Sequence, residues 1–319
     1  MAIQVARYSV EGKIGWAVHV RGGLTPLAGR YETTRDFIEQ GGIAEAYRLE
    51  AAPSLHVEQV ELLSPVTSDG DYICQATNYA GHLKEIGRNP ADVLANVIFT
   101  KASSCICGPN ATIERPGHVR LLDYEIELGL VLGRTIDGPV TVTEANLHEF
   151  VAAWVITNDI TARDVQVSHE QFHKSKSYRT FGPTGPFLVL PAPQDANRWR
   201  DLRLQLRVNG ELRQNAPASD MIFGPCATLT ELSQIRDMKA GDMIATGTPA
   251  GVAIKVPSKF KVAVAGFLPP SKRFAAFLKA QAGVEAYLKD GDLIEASIGD
   301  PSGRFDLGLQ RNRVASRAS

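Results

Sequence analysis

The residues with the clearest chemical potential are Glu125 and Glu127, within Asp123-Tyr124-Glu125-Ile126-Glu127-Leu128-Gly129. Polar and apolar residues alternate there as in a β-strand, whose successive side chains point to opposite faces. The two carboxylates then share a side and repel each other unless positive charge lies between them. A hard divalent cation or a pair of basic side chains would supply that charge. A solvated edge strand with two exposed acids is the alternative without chemistry. Asp159 follows the apolar run Trp154-Val155-Ile156-Thr157. A third carboxylate at the end of a buried strand would complete an oxygen-only site suited to Mg²⁺ or Mn²⁺. Arg163, four residues on, can pair with Asp164 or with a substrate carboxylate.

A second constellation is Asn78-Tyr79-Ala80-Gly81-His82-Leu83-Lys84-Glu85. His82 and Glu85 are adjacent on one helical face. A carboxylate beside an imidazole fixes its tautomer and raises its basicity, as a general base for water requires. Gly81 before them, and Gly87 and Pro90 after, would make a short helix between hinges, a mobile lid. An exposed surface pair has the same spacing. His169-Glu170-Gln171-Phe172-His173 matches the zinc-protease pattern H-E-x-x-H. That chemistry needs a long helix with a buried apolar face, whereas Ser168, Lys174, Ser175, Lys176 and Ser177 flank this stretch. No third ligand stands at a recognisable spacing. No Gly-x-Ser-x-Gly elbow and no Gly-x-Gly-x-x-Gly after a strand is present.

The elements that must hold these groups are mostly strands. Residues 1–65 predict a small N-terminal β-rich domain, with strands Ile3–Val10 and Lys13–Val20 joined at Glu11-Gly12 and a further turn at Gly22-Gly23. Thr33 and Thr34 before Asp36-Phe37-Ile38-Glu39 predict a helix that Gly41-Gly42 closes. From residue 66 to 319, strands are expected at Val97–Lys101, Leu121–Leu132, Ala152–Asn158, Phe187–Leu190, Leu202–Val208, Met243–Thr246 and Leu293–Ile298. Helices are expected at Thr143–Val151, Ala227–Ile235 and Phe274–Leu288. The fold class is therefore α+β, mainly β, not an alternating βαβ chain.

Formal charge is −1 from 34 basic and 35 acidic residues, so no global field attracts nucleic acid or acidic membranes. No segment approaches the roughly 18 apolar residues that span a bilayer, and the N-terminus lacks a signal-peptide core. A cytoplasmic protein is expected, with Cys74, Cys105, Cys107 and Cys226 as small thiols, not a disulfide or zinc set.

With these clusters in order, the chain resembles the fumarylacetoacetate hydrolase family from about Tyr72 onward. The likeness continues through Lys101 with Gly108-Pro109, Lys176-Ser177, Gly182-Pro183-Thr184-Gly185-Pro186, Val208-Asn209-Gly210-Glu211, Gly241-Asp242 and Thr246-Gly247-Thr248-Pro249-Ala250-Gly251. The resemblance implies a mixed β-roll or β-sandwich behind a small N-terminal β domain, usually a homodimer. It implies Glu125, Glu127 and Asp159 as ligands of one Mg²⁺ or Mn²⁺, a water-activating lid dyad of His82 and Glu85, and Lys176 as the active-site lysine. Gln166 and Thr248 match substrate-contacting positions, and Arg163 is expected to join them. The substrate expected is a small 2-oxo acid, with no nucleic-acid or membrane partner, in the setting of aromatic-compound catabolism. The expected reaction is metal-dependent hydrolysis of a carbon–carbon bond in a 2,4-dioxo acid, giving pyruvate and a carboxylic acid. A decarboxylase or isomerase of the same family is the alternative. Residues 254–290 depart from the compact pattern as an insertion that either packs on the body or an interface or adds a wall to the site.

Overall fold

A computed structural model describes residues 2–20, 23–169, 171–255 and 268–317. Gly22 of the expected second turn, Glu170 of the H-E-x-x-H stretch and residues 256–267 of the insertion lie outside the described residues.

Two sheets carry the fold. The larger has 11 strands, with the central order Ile3–Val10, Phe187–Leu190, Val151–Asn158, Ile126–Leu132, Met243–Ala245, Tyr72–Ala76, Val97–Lys101. The N-terminal strands extend this same sheet: Val5 pairs with Leu188 and Val18 with Val5, all antiparallel. The smaller sheet has five strands, running Glu211–Pro217, Arg203–Val208, Leu293–Gly299, Asp306–Ser316, Ile113–Arg115. Burial explains the difference in composition. Every residue of Ile126–Leu132 is buried, so that strand is apolar on both faces apart from Glu127. Leu293–Gly299 instead alternates buried and half-exposed residues, as expected when only one face meets the core. Trp154 and Phe305 meet edge-to-face between the sheets, centroids 5.3 Å apart. The buried Gln310 amide crosses the same gap, donating to the carbonyls of Ile156 and Gly185.

The structure revises several expected boundaries. The long strand Leu121–Leu132 is two strands, Leu122–Asp123 and Ile126–Leu132, and Glu125 lies in the break. The break forms because Asp123 turns its carboxylate inward to the N–H groups of Tyr124, Ala253 and Ile254 and to Arg163. The helix after Thr33 runs Thr34–Glu39 with a reciprocal Thr33–Asp36 capping box. Gly41, left-handed at φ 89°, links it to a second helix, Gly42–Arg48, instead of ending helical structure. The expected Thr143–Val151 helix is a single turn, Leu147–Phe150, because Val151 already belongs to the central sheet. In the insertion, the helix spans Pro270–Gln281, not Phe274–Leu288. Proline at its first position suits the free N-terminal N–H groups. At its end, the buried Gln281 amide bonds both backbone groups of Lys255 and the Tyr287 hydroxyl.

Candidate active site

A cavity of about 160 Å³ opens at the end of the central strands, and every residue expected to do chemistry lines it except Glu85, which stands behind His82. Its floor is the acid cluster. Glu127 projects from strand Ile126–Leu132; Glu125 and Asp159 come from the residues flanking two paired strand ends. Asp159 N–H donates to the Glu125 carbonyl at 2.8 Å, and Glu125 N–H donates to Asn158 Oδ1 at 2.9 Å, so backbone bonds fix the spacing of both acids. One oxygen from each of the three carboxylates lies within 4.8 Å of the others, and all three residues are buried.

Three buried cations answer these acids unequally. Lys101 donates to Asp159 Oδ1 at 2.6 Å and to the Phe181 carbonyl at 2.8 Å. Lys176 bridges Glu125 Oε2, at 2.9 Å, and Asp159 Oδ2, and also bonds Thr161 Oγ1. Arg163 clamps Asp123, at 2.7 Å, to Glu125 and bonds Gln166 Oε1 at 2.9 Å. Among the described residues, Glu127 accepts only the Gly247 N–H, at 2.9 Å. The consequences for acidity diverge. Burial opposes the charge on Glu125, but Lys176 and Arg163 outweigh it and hold its carboxyl well below the usual range. Burial, followed by repulsion from Asp159 and Glu125, pushes the Glu127 carboxyl well above that range. Lys176, despite burial, is held above the usual lysine range by Asp159 and Glu125.

Basic side chains answer most of this acid charge, and the geometry leaves room for a cation as well. If all were ionised, Asp123, Glu125, Glu127 and Asp159 would bring four negative charges against three positive ones from Lys101, Arg163 and Lys176, an excess of one that burial relieves by favouring a protonated Glu127. That excess falls at Glu127, beside two other hard oxygen donors. The donor set therefore fits Mg²⁺ or Mn²⁺ held by Glu125, Glu127 and Asp159. A dication would turn the local balance to one positive charge, which suits a substrate carboxylate.

Above the floor, His82 lies on the short helix Ala80–Glu85. Its Nδ1 is 3.3 Å from Glu85 Oε2, and Glu85 in turn accepts the Gly251 N–H at 3.1 Å. Burial opposes the charge on Glu85, but the bonds from His82 and Gly251 hold its carboxyl below the usual range. The Thr246–Gly251 turn thus serves both halves of the site. Gly247, at φ +86°, and Gly251, at φ +107°, aim their N–H groups at Glu127 and Glu85. A Cβ on Gly251 would fall 2.0 Å from the Arg213 carbonyl oxygen, so only glycine fits there. Between them, Thr248 donates its hydroxyl to the Ile126 carbonyl and accepts the Gln214 amide.

The H-E-x-x-H histidines lie apart from this chemistry. His169 ends the helix Arg163–His169, and His173 lies on a separate helix, Phe172–Lys176. His169 Nδ1 is 3.0 Å from the Val165 carbonyl, and His173 Nδ1 is 2.9 Å from that of Thr100. Among the described residues, the acid cluster is the one set of three groups that could hold a metal. All four cysteines are free thiols. Arg163, expected to pair with Asp164 or with substrate, lines the cavity and bonds Asp123, Glu125 and Gln166, not Asp164. Sequence reasoning missed the role of Asp123, whose inward turn breaks the strand and so leaves no periodic signal.

Residues 71–315 match the family described as Fumarylacetoacetate (FAA) hydrolase C-terminal. The chain belongs to that family. It is 35% identical to oxaloacetate tautomerase YisK of Bacillus subtilis, covering 77% of this chain and 72% of that protein. Among solved structures, fumarylacetoacetate hydrolase from Exiguobacterium antarcticum superposes with a TM-score of 0.71 at 32% identity, over 99% of this chain and 100% of that one. A probable 2-hydroxyhepta-2,4-diene-1,7-dioate isomerase from Mycobacterium abscessus gives 0.72 at 28%, over 100% of both chains. Among the described residues, no helix is long and apolar enough to cross a membrane.

Proposed function

We propose that this enzyme hydrolyses a carbon–carbon bond in a 2,4-dioxo acid, giving pyruvate and a carboxylic acid. The observation that carries this reading is the position of His82 on the cavity wall, backed by Glu85, opposite the acid cluster. Glu125, Glu127 and Asp159 would hold a divalent cation, which supplies Lewis-acid polarisation of substrate oxygens when bound. Glu85 keeps the proton on His82 Nδ1 and leaves Nε2 to accept one from water. Hydroxide adds to the distal carbonyl carbon, the C3–C4 bond breaks, and its electron pair passes to the pyruvate fragment as an enolate, which then takes up a proton. Lys176 keeps its charge next to Glu125 and Asp159, so it offers a fixed cation to the developing negative oxygen. The small, mostly buried cavity limits access of bulk water to these groups.

A second reading is favoured by the kinship to YisK, whose name states tautomerisation of oxaloacetate. In that reaction His82 moves a proton between carbon and oxygen of an oxo diacid, and no water is consumed. One experiment separates them. With Mn²⁺ present, acetylpyruvate and fumarylpyruvate are assayed for pyruvate release and oxaloacetate for keto–enol exchange, in wild type and in His82→Ala. Pyruvate release that disappears in the variant supports hydrolysis. Exchange without cleavage of either dioxo acid overturns hydrolysis in favour of tautomerisation.

A further inference from the structure

The hairpin at Val208-Asn209-Gly210-Glu211 belongs to the smaller sheet and contributes no wall to the cavity. Asn209 and Gly210 have φ +52° and +80°, the left-handed pair that a two-residue type I′ turn uses. The turn joins Arg203–Val208 to Glu211–Pro217 and sets their register. Asn209 Oδ1 accepts the Leu293 N–H at 2.9 Å, which ties the turn to the neighbouring strand. The register then shifts: Arg207 pairs with Leu212, but Leu206 pairs with Gln214, so Arg213 is an extra residue. A bulge of this kind re-aims the side chain beside it. Without it, position 213 would face inward opposite Leu206; with it, Gln214 does.

Gln214 is wholly buried, and its cross-strand partner Leu206 and the next residue across, Ala296, are buried and apolar. An amide in such a layer costs stability unless its polar atoms are bonded. Those of Gln214 all point to the active site. Oε1 accepts the Ile126 N–H at 3.0 Å, and Nε2 donates to Thr248 Oγ1 at 2.8 Å and to the Pro249 carbonyl at 2.9 Å. A backbone donor at one end and a backbone acceptor at the other fix which atom is which. Thr248 Oγ1 passes a bond on to the Ile126 carbonyl at 3.0 Å. One side chain from the smaller sheet thus joins both backbone groups of Ile126, the first residue of the strand that carries Glu127, to the Thr246–Gly251 turn.

That turn aims the Gly247 N–H at Glu127 and the Gly251 N–H at Glu85. Thr246 Oγ1, bonded to the Leu128 carbonyl at 2.9 Å, anchors its first residue. Its middle, Thr248 and Pro249, is anchored by Gln214, and its last residue, Gly251, rests on the Arg213 carbonyl. We infer that Gln214 is a positioning residue of the active site: the hairpin bulge delivers it, it locks the turn, and the turn sets the orientation of Glu127 toward the cation and of Glu85 behind His82. The inference rests on the acid cluster holding the cation, and it applies to hydrolysis and tautomerisation alike. It also gives the smaller sheet a part in metal binding that a mere covering layer would lack.

The test reads Mn²⁺ affinity, from the electron paramagnetic resonance signal of free Mn²⁺, beside the melting temperature. Gln214→Met keeps the length of the side chain and removes its three bonds; Mn²⁺ Kd should rise about tenfold, as for other residues that orient metal ligands. Leu206→Ala, at the cross-strand partner, makes a cavity in the same layer without touching the turn. It should lower the melting temperature at least as far and leave Mn²⁺ Kd at the wild-type value. Thr248→Val cuts the same link from the other end with little change of shape, and keeps the test decisive if Gln214→Met does not fold. Its Kd should rise similarly, and the double variant should rise no further than the larger single effect, because both act through one bond. Wild-type Mn²⁺ affinity in Gln214→Met or in Thr248→Val, an equal loss in Leu206→Ala, or additive effects in the double variant overturn the positioning role. If the wild-type protein itself binds no Mn²⁺, the acid cluster is not a metal site and the role of Gln214 toward it falls as well.

Discussion

The floor and the roof of the active site are built on opposite principles. The floor is buried charge in a strand framework: Asp123, Glu125, Glu127 and Asp159 interlock with Lys101, Arg163 and Lys176, and backbone hydrogen bonds set their spacing. The roof is a helix of six residues whose His82–Glu85 pair is held by a 3.3 Å contact, by the N–H of Gly251 and by a 4.0 Å ion pair from Lys255. Groups that must meet a cation at fixed distances belong on rigid elements. A base that must admit substrate and then close over it belongs on a small, weakly anchored one. Substitutions in the floor should therefore harm stability and activity together, whereas those in the roof should harm activity alone.

The sharpest way to break that contrast is at a ligand. Glu125→Gln would remove one of the proposed metal oxygens and leave Arg163 and Lys176 short of a counter-charge, so activity should fall by at least about 10³-fold. A Mn²⁺ titration followed by assay checks this, and a variant with wild-type activity at the wild-type metal requirement would place Glu125 outside the ligand set. In the roof, His82→Ala should cost on the order of 10²-fold in kcat and leave both the melting temperature and Mn²⁺ affinity near wild type. A large drop in melting temperature would mean that the roof is structural after all.

Asp123→Asn tests the floor without touching a ligand. Breaking its buried pair with Arg163 should destabilise the fold by about 3 kcal/mol, read by denaturant titration at constant metal. Glu127 gives a pH signature. Its folded carboxyl titrates well above the usual range, chiefly through burial. In the metal-free protein its neutral form is favoured at low pH, and stability is lost as pH rises above the unfolded value of about 4.3 toward the folded one. Mg²⁺ displaces that proton, so thermal stabilisation by Mg²⁺ should grow with pH across the same window. Glu127→Gln should abolish that dependence. The smallest effect is expected for Glu85→Gln, which keeps a hydrogen-bonding group beside His82: a few-fold loss in kcat, with stability unchanged.

Much of this site was legible in the chain because strand periodicity is local. The alternation in Asp123–Leu128 draws attention to its acids even though the strand breaks at Glu125, and the apolar run before Asp159 marks a buried strand end. The same reasoning set aside the H-E-x-x-H stretch from its polar flanks, and the structure puts its histidines on two separate helices.

The sequence alone determined which side chains could bind a hard cation and which strands would carry them, because those properties depend on residue type and on neighbours two to four positions away. Tertiary structure decided the charge balance. Lys101 reaches Asp159 across 58 positions, Arg163 reaches Asp123 across 40, and Gly247 reaches Glu127 across 120. Whether a carboxylate is neutralised or left to seek a metal depends on what lies within a few ångströms of it in a medium of low polarity. Those neighbours are fixed only when distant strands come together.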